Sequence, residues 1–236
     1  MDCGLSGVEV KRRLKKAGLS VHDLSGILLS HEHQDHIKGA GVLSRQLQLP
    51  LFANRATWEG ASSSLGKIEP HNRVIINRGF VLGGMAIQSF SLPHDARDPV
   101  GFIIRYRGIR VGLATDLGCI QEDIIQRLEG CDLVILEANH DLELLRNGSY
   151  PPSLKKRILG PEGHLSNDDA GAVAARLTQA GVKKIILAHL SRDNNRPELA
   201  YYTVKNFITD TGAVIDSDLS LDLVEHFQSK DPINLK

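Results

Sequence analysis

Residues 28–39 read LLSHEHQDHIKG, which places His31, His33, Asp35 and His36 within six residues, directly after a short apolar run. Four ionisable side chains this close compete for charge and space, and burying any of them without a partner is costly. A cation among them removes the conflict. A fold that accepts this segment must therefore end a strand at 26–30 where ligands from elsewhere in the chain can gather.

The remaining sequence supplies such a framework. Short apolar runs rich in β-branched residues alternate with helix-patterned segments, which predicts α/β layering. Strands are expected at 26–30, 49–53, 73–77, 85–92, 101–107, 110–115, 132–138, 184–189 and 219–226. Helices are expected at 7–17, 39–48, 54–64, 120–128, 152–158, 166–180 and 196–209. The block 73–115 reads as antiparallel strands in succession, and the C-terminal half as strand alternating with helix. Ser166 or Asn167 can cap the helix at 166–180, Asp168 and Asp169 suit its N-terminal dipole, and Gly181 can close it. Pro197 suits a first helical turn. With no repeat, biased linker or low-complexity tract, one domain over 1–236 is the expected organisation.

Laid on this map, the polar residues collect at strand ends. The 31–36 cluster follows GILLS, and His94 with Asp95 follows MAIQSFSLP. Asp116 ends RVGLATD, Glu137 ends DLVILE, and His189 ends KIILAH. Sites of open α/β sheets form at the carboxyl ends of strands. Imidazole and carboxylate together suit zinc, manganese or iron, and the absence of a thiolate argues against a cysteine-based structural zinc site. In HxHxDH, His31 and His33 can face one ion while Asp35 and His36 face a second. Two ions about 3.5–4 Å apart clamp a bridging hydroxide, a nucleophile at neutral pH.

Composition narrows the classes. The 28 basic and 28 acidic side chains give a formal net charge of zero, so contact with nucleic acid must come from a local patch and not from the bulk field. Cys3, Cys119 and Cys131 are odd in number and form no CxxC pair, which fits free thiols in a reducing compartment. No run approaches the roughly 18 apolar residues of a membrane span, and the start MDCGLSGVEVKRRLKKAG has no signal-peptide core. A cytoplasmic protein with no membrane partner is expected.

The order HxHxDH, a lone histidine after a strand, an aspartate in a TD turn and a late strand-end histidine resembles the metallo-β-lactamase fold superfamily. Within it, SHEHQDHIKGAGVLSR, ATDLG, EANHD, GHLSNDDAG and LAHLS resemble the YycJ/WalJ (VicX) branch over nearly the whole chain. The resemblance implies a metallo-β-lactamase-like four-layered αβ/βα sandwich. It also implies a metal-dependent hydrolase, a 5'→3' DNA exonuclease with two divalent ions, zinc or manganese. Carried over by position, His31, His33 and His94 hold the first ion, Asp35, His36 and His189 the second, and Asp116 bridges both. Asp2 in DCG resembles an aspartate that orients the metal loop without ligating. His164 in GHLSN resembles the phosphate-side histidine of RNase Z-like phosphodiesterases. The expected catalytic side chains are thus Asp35, Asp116 and His164. Members of the branch carry two strands and a Gly/Ser-rich turn before DCG, so the chain is N-terminally short relative to them, with an expected unpaired sheet edge.

Other features remain open on chemistry alone. Glu137, Asn139, His140 and Asp141 in EANHD either edge the site or fix a loop. His22, His71 and His226 stand in no constellation. KRRLKK (11–16) reads as a solvated helix face, whereas SLKKR (153–157), just before GHLSN, is the better candidate for a DNA backbone contact. KGAGVLS fails as a dinucleotide fingerprint, and no P-loop or GxSxG element occurs. A small-molecule hydrolase of the same fold, a glyoxalase II-like thioesterase or a lactonase, is the alternative to the nuclease. A non-catalytic regulatory module is disfavoured by the complete ligand set.

Overall fold

Three short parallel strands and a glycine-turned hairpin organise the N-terminal part of the chain. The computed structural model describes residues 1–224, Ile233 and Leu235. The described chain divides into two units: Met1–Ser91 with Ala96–Val100 and Ile233, and Leu92–Asp95 with residues 101–224 and Leu235.

In the first unit, α1 (Gly7–Lys16) begins where Ser6 Oγ accepts a hydrogen bond from the Glu9 N–H. Glu9 takes the guanidinium groups of Arg12 and Arg13 at 2.7–2.8 Å, so KRRLKK forms a helix face whose cations are partly answered within the helix. There follow β1 (Ile27–Leu28), the single turn α2 (Gln34–Ile37), α3 (Ala40–Leu47), β2 (Leu51–Ala53), α4 (Arg55–Leu65) and β3 (Arg73–Ile75). β1, β2 and β3 pair in parallel, in that order. The block from 73 therefore does not begin as an antiparallel strand: β3 joins β2 through the crossover helix α4, as parallel pairing requires. Ile27, Leu29, Ile37, Leu43, Leu51, Trp58 and Leu65 form the core between sheet and helices.

β4 (Gly79–Leu82) and β5 (Met85–Ser91) make an antiparallel hairpin with Leu82 opposite Met85. Its two turn residues, Gly83 and Gly84, have φ of 58° and 81°. Two successive positive φ values define the hairpin turn that matches strand twist, and glycine adopts them without a Cβ clash. The sequence reading passes over β4, although the Gly-Gly pair announces it.

The second unit contains β6 (Val100–Tyr106), β7 (Ile109–Ala114), α5 (Glu122–Leu128), β8 (Leu133–Glu137), α6 (Leu142–Asn147), α7 (Pro152–Ile158), α8 (Asn167–Gln179), β9 (Lys184–Ala188), α9 (Pro197–Thr209) and β10 (Ser220–Leu223). Its strands run in the order β10-β9-β8-β7-β6. β6 and β7 are antiparallel, and every later pair is parallel. Val134, Leu136, Ile185 and Leu187 are buried, as expected for strands covered by helices. α8 and α9 pack on each other.

Most expected elements recur with ends shifted by one or two residues. The helix expected at 120–128 starts at Glu122, because Gln121 is extended and stands at the cap position. The strand expected at 219–226 is β10, and its residues 225–226 lie outside the described residues. α6 is not anticipated. It is short, and its start is set by Asp141, whose Oδ1 accepts from the Leu144 N–H. No described helix is long and apolar enough to cross a membrane.

The three cysteines are free, with Cys3 and Cys131 buried and Cys119 half-buried. Burial pushes the Cys3 thiol up to about 11. At pH 8, iodoacetamide should therefore modify the half-buried Cys119 before the buried Cys3. Peptide mass spectrometry over time checks this, and equal rates for Cys3 and Cys119 in folded protein would contradict the burial described.

Candidate metal centre

The His31–His36 segment lies in the first unit, just beyond β1. Its support comes from Asp2, 28 residues earlier than Ser30. The Ser30 N–H donates to Asp2 Oδ1 at 2.8 Å, and the Ser30 hydroxyl donates to Asp2 Oδ2 at 2.9 Å. With that hydroxyl proton on Asp2, His31 Nδ1–H donates to Ser30 Oγ at 3.0 Å. His36 Nδ1–H donates to Asp2 Oδ2, also at 3.0 Å. Both imidazoles are thereby fixed through Nδ1, so Nε2 is the nitrogen each could offer to an ion. The His31 ring centroid lies 4.0 Å from that of His36 and 4.7 Å from that of His33. Asp35 is the exposed member, with Oδ2 3.7 Å from His36 Nε2. Burial alone would raise the Asp2 carboxyl, but the hydrogen bond and charge of His36 and the Ser30 N–H hold it below its ordinary value.

The second unit brings together His94, Asp116, Glu137, His164 and His189. β7, β8 and β9 are neighbouring parallel strands in register, with Ala114 opposite Leu136 and Glu137 opposite Ala188. Their C-terminal ends therefore deliver Asp116, Glu137 and His189 to the same edge of the sheet. One donor atom each from Asp116, Glu137, His164 and His189 lies within 4.8 Å of all the others. Asp116 Oδ1 is 3.4 Å from His189 Nδ1 and 3.9 Å from both His164 Nδ1 and His94 Nε2.

Glu137 holds this group in place. It has no exposed surface and accepts four hydrogen bonds: His164 Nδ1–H (2.9 Å) and His189 Nδ1–H (2.7 Å) on Oε1, and the Leu117 and Leu165 N–H groups (3.1 Å each) on Oε2. Burial alone would raise its pKa, yet the charge and hydrogen bond of His164 and the bond from His189 lower it to about 2. A carboxylate so committed is a support and not a ligand. With Nδ1 of both rings bound to Glu137, Nε2 is the nitrogen that His189 and His164 could each offer to an ion or another group. His94 Nδ1–H donates to the Gly163 carbonyl at 2.9 Å, so Nε2 is its outer nitrogen too. Burial keeps the His94 pKa below the ordinary histidine value, against the pull of Asp116.

Three of these residues are held at positive φ: Asp2 at 48°, Asp116 at 66° and His189 at 58°. Each such non-glycine residue costs on the order of 1–3 kcal/mol and persists only where its surroundings over-determine it. Donor chemistry is the fit test for an ion. Each unit offers imidazoles fixed through Nδ1 beside carboxylates, with no thiolate among the groupings, a set that accepts zinc or manganese.

EANHD resolves into distinct tasks. Glu137 fixes two imidazoles. Asn139 Nδ2 donates to the His189 carbonyl at 2.9 Å, supporting the strained residue, and Asp141 caps α6. His140 is buried, and its ring nitrogens have no hydrogen-bond partner among the described residues. The sequence reading left Glu137 open because nothing local marks a carboxylate whose four donors come from 117, 164, 165 and 189. In SLKKR, Lys155 Nζ donates to the Arg146 carbonyl at 2.8 Å, and Arg157 is engaged with Asp95. His22 and His71 lie away from both groupings, and His226 lies outside the described residues.

The family model described as "Beta-lactamase superfamily domain" matches residues 1–190. The crystal structure of the metallo-beta-lactamase fold protein YhfI from Bacillus subtilis superposes with a TM-score of 0.69 at 19% identity, covering 95% of this chain and 83% of that one. The chain belongs to the metallo-β-lactamase superfamily and has its α/β fold. Exodeoxyribonuclease YycJ of Bacillus anthracis is 39% identical over 214 residues, spanning 90% of this chain and 81% of the relative. Exodeoxyribonuclease WalJ of Streptococcus pneumoniae is 39% identical over 222 residues, spanning 92% and 82%. The YycJ/WalJ branch read from EANHD and GHLSN is thereby borne out.

Burial pushes the His140 pKa down to about 4, despite the opposing pull of Glu137. The unfolded chain, with an ordinary histidine pKa near 6.5, binds the extra proton between those values, so this group removes stability as pH falls from 6.5 towards 4. Urea unfolding at pH 7 and 4.5 should show the wild type losing on the order of 2–3 kcal/mol more than His140→Gln. Parallel losses in the two proteins would contradict a neutral, buried His140.

Proposed function

We propose that this protein is a metal-dependent phosphodiesterase that removes nucleotides from DNA, a 5'→3' exodeoxyribonuclease acting in the cytoplasm. In this reading residues 1–236 act as one metallo-β-lactamase-like domain. His31, His33 and His94 hold one divalent ion, Asp35, His36 and His189 hold another, and Asp116 serves both. The ions are zinc or manganese. When bound they supply Lewis-acid polarisation of the scissile phosphate and neutralise its developing charge.

The observation that carries the reading is the Glu137–His164 bond. A histidine whose Nδ1–H rests on a buried carboxylate at 2.9 Å has its ring fixed and presents Nε2 outward. In its protonated form, Nε2–H can donate to the oxygen leaving phosphorus, a general-acid role of the kind phosphodiester hydrolysis needs. His164 is 19% exposed at its side chain, enough for a substrate atom to reach it. Asp2 and Glu137 orient, Asp35 and Asp116 supply negative donors, and His164 moves the proton. The names of the relatives support a DNA substrate and disfavour the thioesterase or lactonase alternative.

Purified protein loaded with manganese or zinc should shorten linear DNA from the 5' end, read on 5'- and 3'-labelled strands. A chelator should abolish the loss. His164→Ala should lower kcat by about 10²–10⁴-fold with KM little changed. Hydrolysis of a thioester or lactone by protein that leaves all DNA intact would overturn the proposal.

A further inference from the structure

The chain contributes Leu92–Asp95 to the second unit, although residues on both sides of that segment belong to the first. Four residues that cross over for so short a length need fastening, and the structure shows how it is done. The Gly118 N–H donates to the Pro93 carbonyl at 2.8 Å, and the Asp95 N–H donates to the Glu162 carbonyl at 3.0 Å. His94 Nδ1–H adds its bond to Gly163. The fourth fastening is ionic. The Arg157 guanidinium grips the Asp95 carboxylate with two nitrogens, Nη2 donating to Oδ1 at 3.0 Å and Nε donating to Oδ2.

The partners of these bonds are themselves closely packed. The residues 159–164 leave α7 and carry His164, whose N–H donates to the Ile158 carbonyl at 3.0 Å. A Cβ on Gly163 would lie 2.1 Å from the Ile158 carbonyl oxygen, and one on Gly118 would lie 2.3 Å from the Gly163 nitrogen. Backbone therefore meets backbone from α7 through Gly163 to Gly118, leaving little play in the frame that receives His94. Within that frame the Arg157–Asp95 fork is the fastening made by two charged side chains. Asp95 Oδ1 also lies 3.5 Å from His94 Nε2.

We propose that Arg157 and Asp95 are positioning residues for His94: their ion pair sets where the His94 imidazole stands, and through it the affinity of the metal site that includes His94. This rests on the reading of His94 as a ligand. It assigns Arg157 to the site's frame and not to the DNA backbone. Arginine suits the task because its planar fork meets both carboxylate oxygens, which a lysine ammonium cannot do. The pair is partly exposed, 55% at Arg157 and 26% at Asp95, so its value lies in geometry more than in stability.

The test compares wild type, Arg157→Gln, Arg157→Lys and the swap Asp95→Arg with Arg157→Asp. Zinc and cobalt affinities are measured by chelator competition, and amide exchange is measured on metal-free protein. Arg157→Gln should weaken the binding of one metal equivalent by about tenfold, the range seen when a ligand loses its orienting partner. It should also speed exchange of the Asp95 N–H while leaving the β7–β9 amides unchanged. On DNA, kcat should fall while KM stays within about twofold, and the swap should recover more metal affinity than Arg157→Lys. Unchanged metal affinity with a raised KM would overturn the proposal and make Arg157 a phosphate contact. Faster exchange throughout the second unit would overturn it too, by making the pair a general stabiliser. If wild-type protein binds metal but cuts no DNA, the nuclease reading falls while affinity and exchange still decide this one. If it binds no metal, the ligand reading falls and this proposal with it.

Discussion

A carboxylate with no exposed surface and four N–H donors is the constraint on which the second unit's chemistry depends. Glu137 could not stay ionised in that position without those donors, because an unpaired buried charge is far more costly than one hydrogen bond can repay. The dependence also runs the other way. His164 and His189 come from separate segments, and each is fixed in tautomer and direction by Glu137 Oε1. The Leu117 and Leu165 N–H groups anchor the backbone beside Asp116 and His164. One side chain thus sets two imidazoles and two loops, and β8 sets that side chain by ending where it does.

Asp2 does comparable work in the first unit with fewer donors. It accepts from the Ser30 backbone, the Ser30 hydroxyl and His36. Asp2, Asp116 and His189 also share a positive φ. Such backbone is unfavourable for residues with a Cβ, and it is tolerated where several bonds hold it. For Asp2 those bonds include its own N–H to the Leu28 carbonyl at 2.7 Å. For His189 they include Glu137 on the ring and Asn139 on the carbonyl. Gln48, Arg107 and Asp216 share this backbone away from the site, so it is the bonds from buried or half-buried polar groups that set Asp2 and His189 apart.

Sequence legibility follows the range of the physics involved. The strands and long helices could be read because their signals are local: β-branched runs, Ser166 as a cap, Pro197 in a first turn. The 31–36 cluster, His94, Asp116 and His189 could be listed because each follows an apolar run, whereas Asp2 and His164 were marked by the family resemblance alone. Two features differ from the sequence reading, and a third is left open by it. β3 pairs in parallel with β2, a tertiary choice with no local mark. β4 is short and half-exposed, and only its Gly-Gly turn gave it away. The role of Glu137 needs donors up to 52 residues away, and no spacing rule reaches that far. Arg157 shows the same limit from the other side. Its basic neighbours suggested a phosphate contact, whereas its guanidinium reaches Asp95, 62 residues earlier.

That last reassignment bears on how a neutral protein can act on a polyanion. Proteins that hold DNA through its backbone do so with many cations, and their affinity falls steeply with salt. Here 28 basic side chains are balanced by 28 acidic ones, and the two basic runs are partly answered from within, by Glu9, the Arg146 carbonyl and Asp95. A long electrostatic grip is therefore not what this sequence is built to give. An enzyme that works at a strand's end needs to recognise one terminus and one phosphate, a task for a small, rigid set of donors and bound cations. The rigidity is what the structure supplies most plainly: imidazoles fixed through Nδ1, a committed carboxylate behind them, and backbone too closely packed at Gly118 and Gly163 to drift.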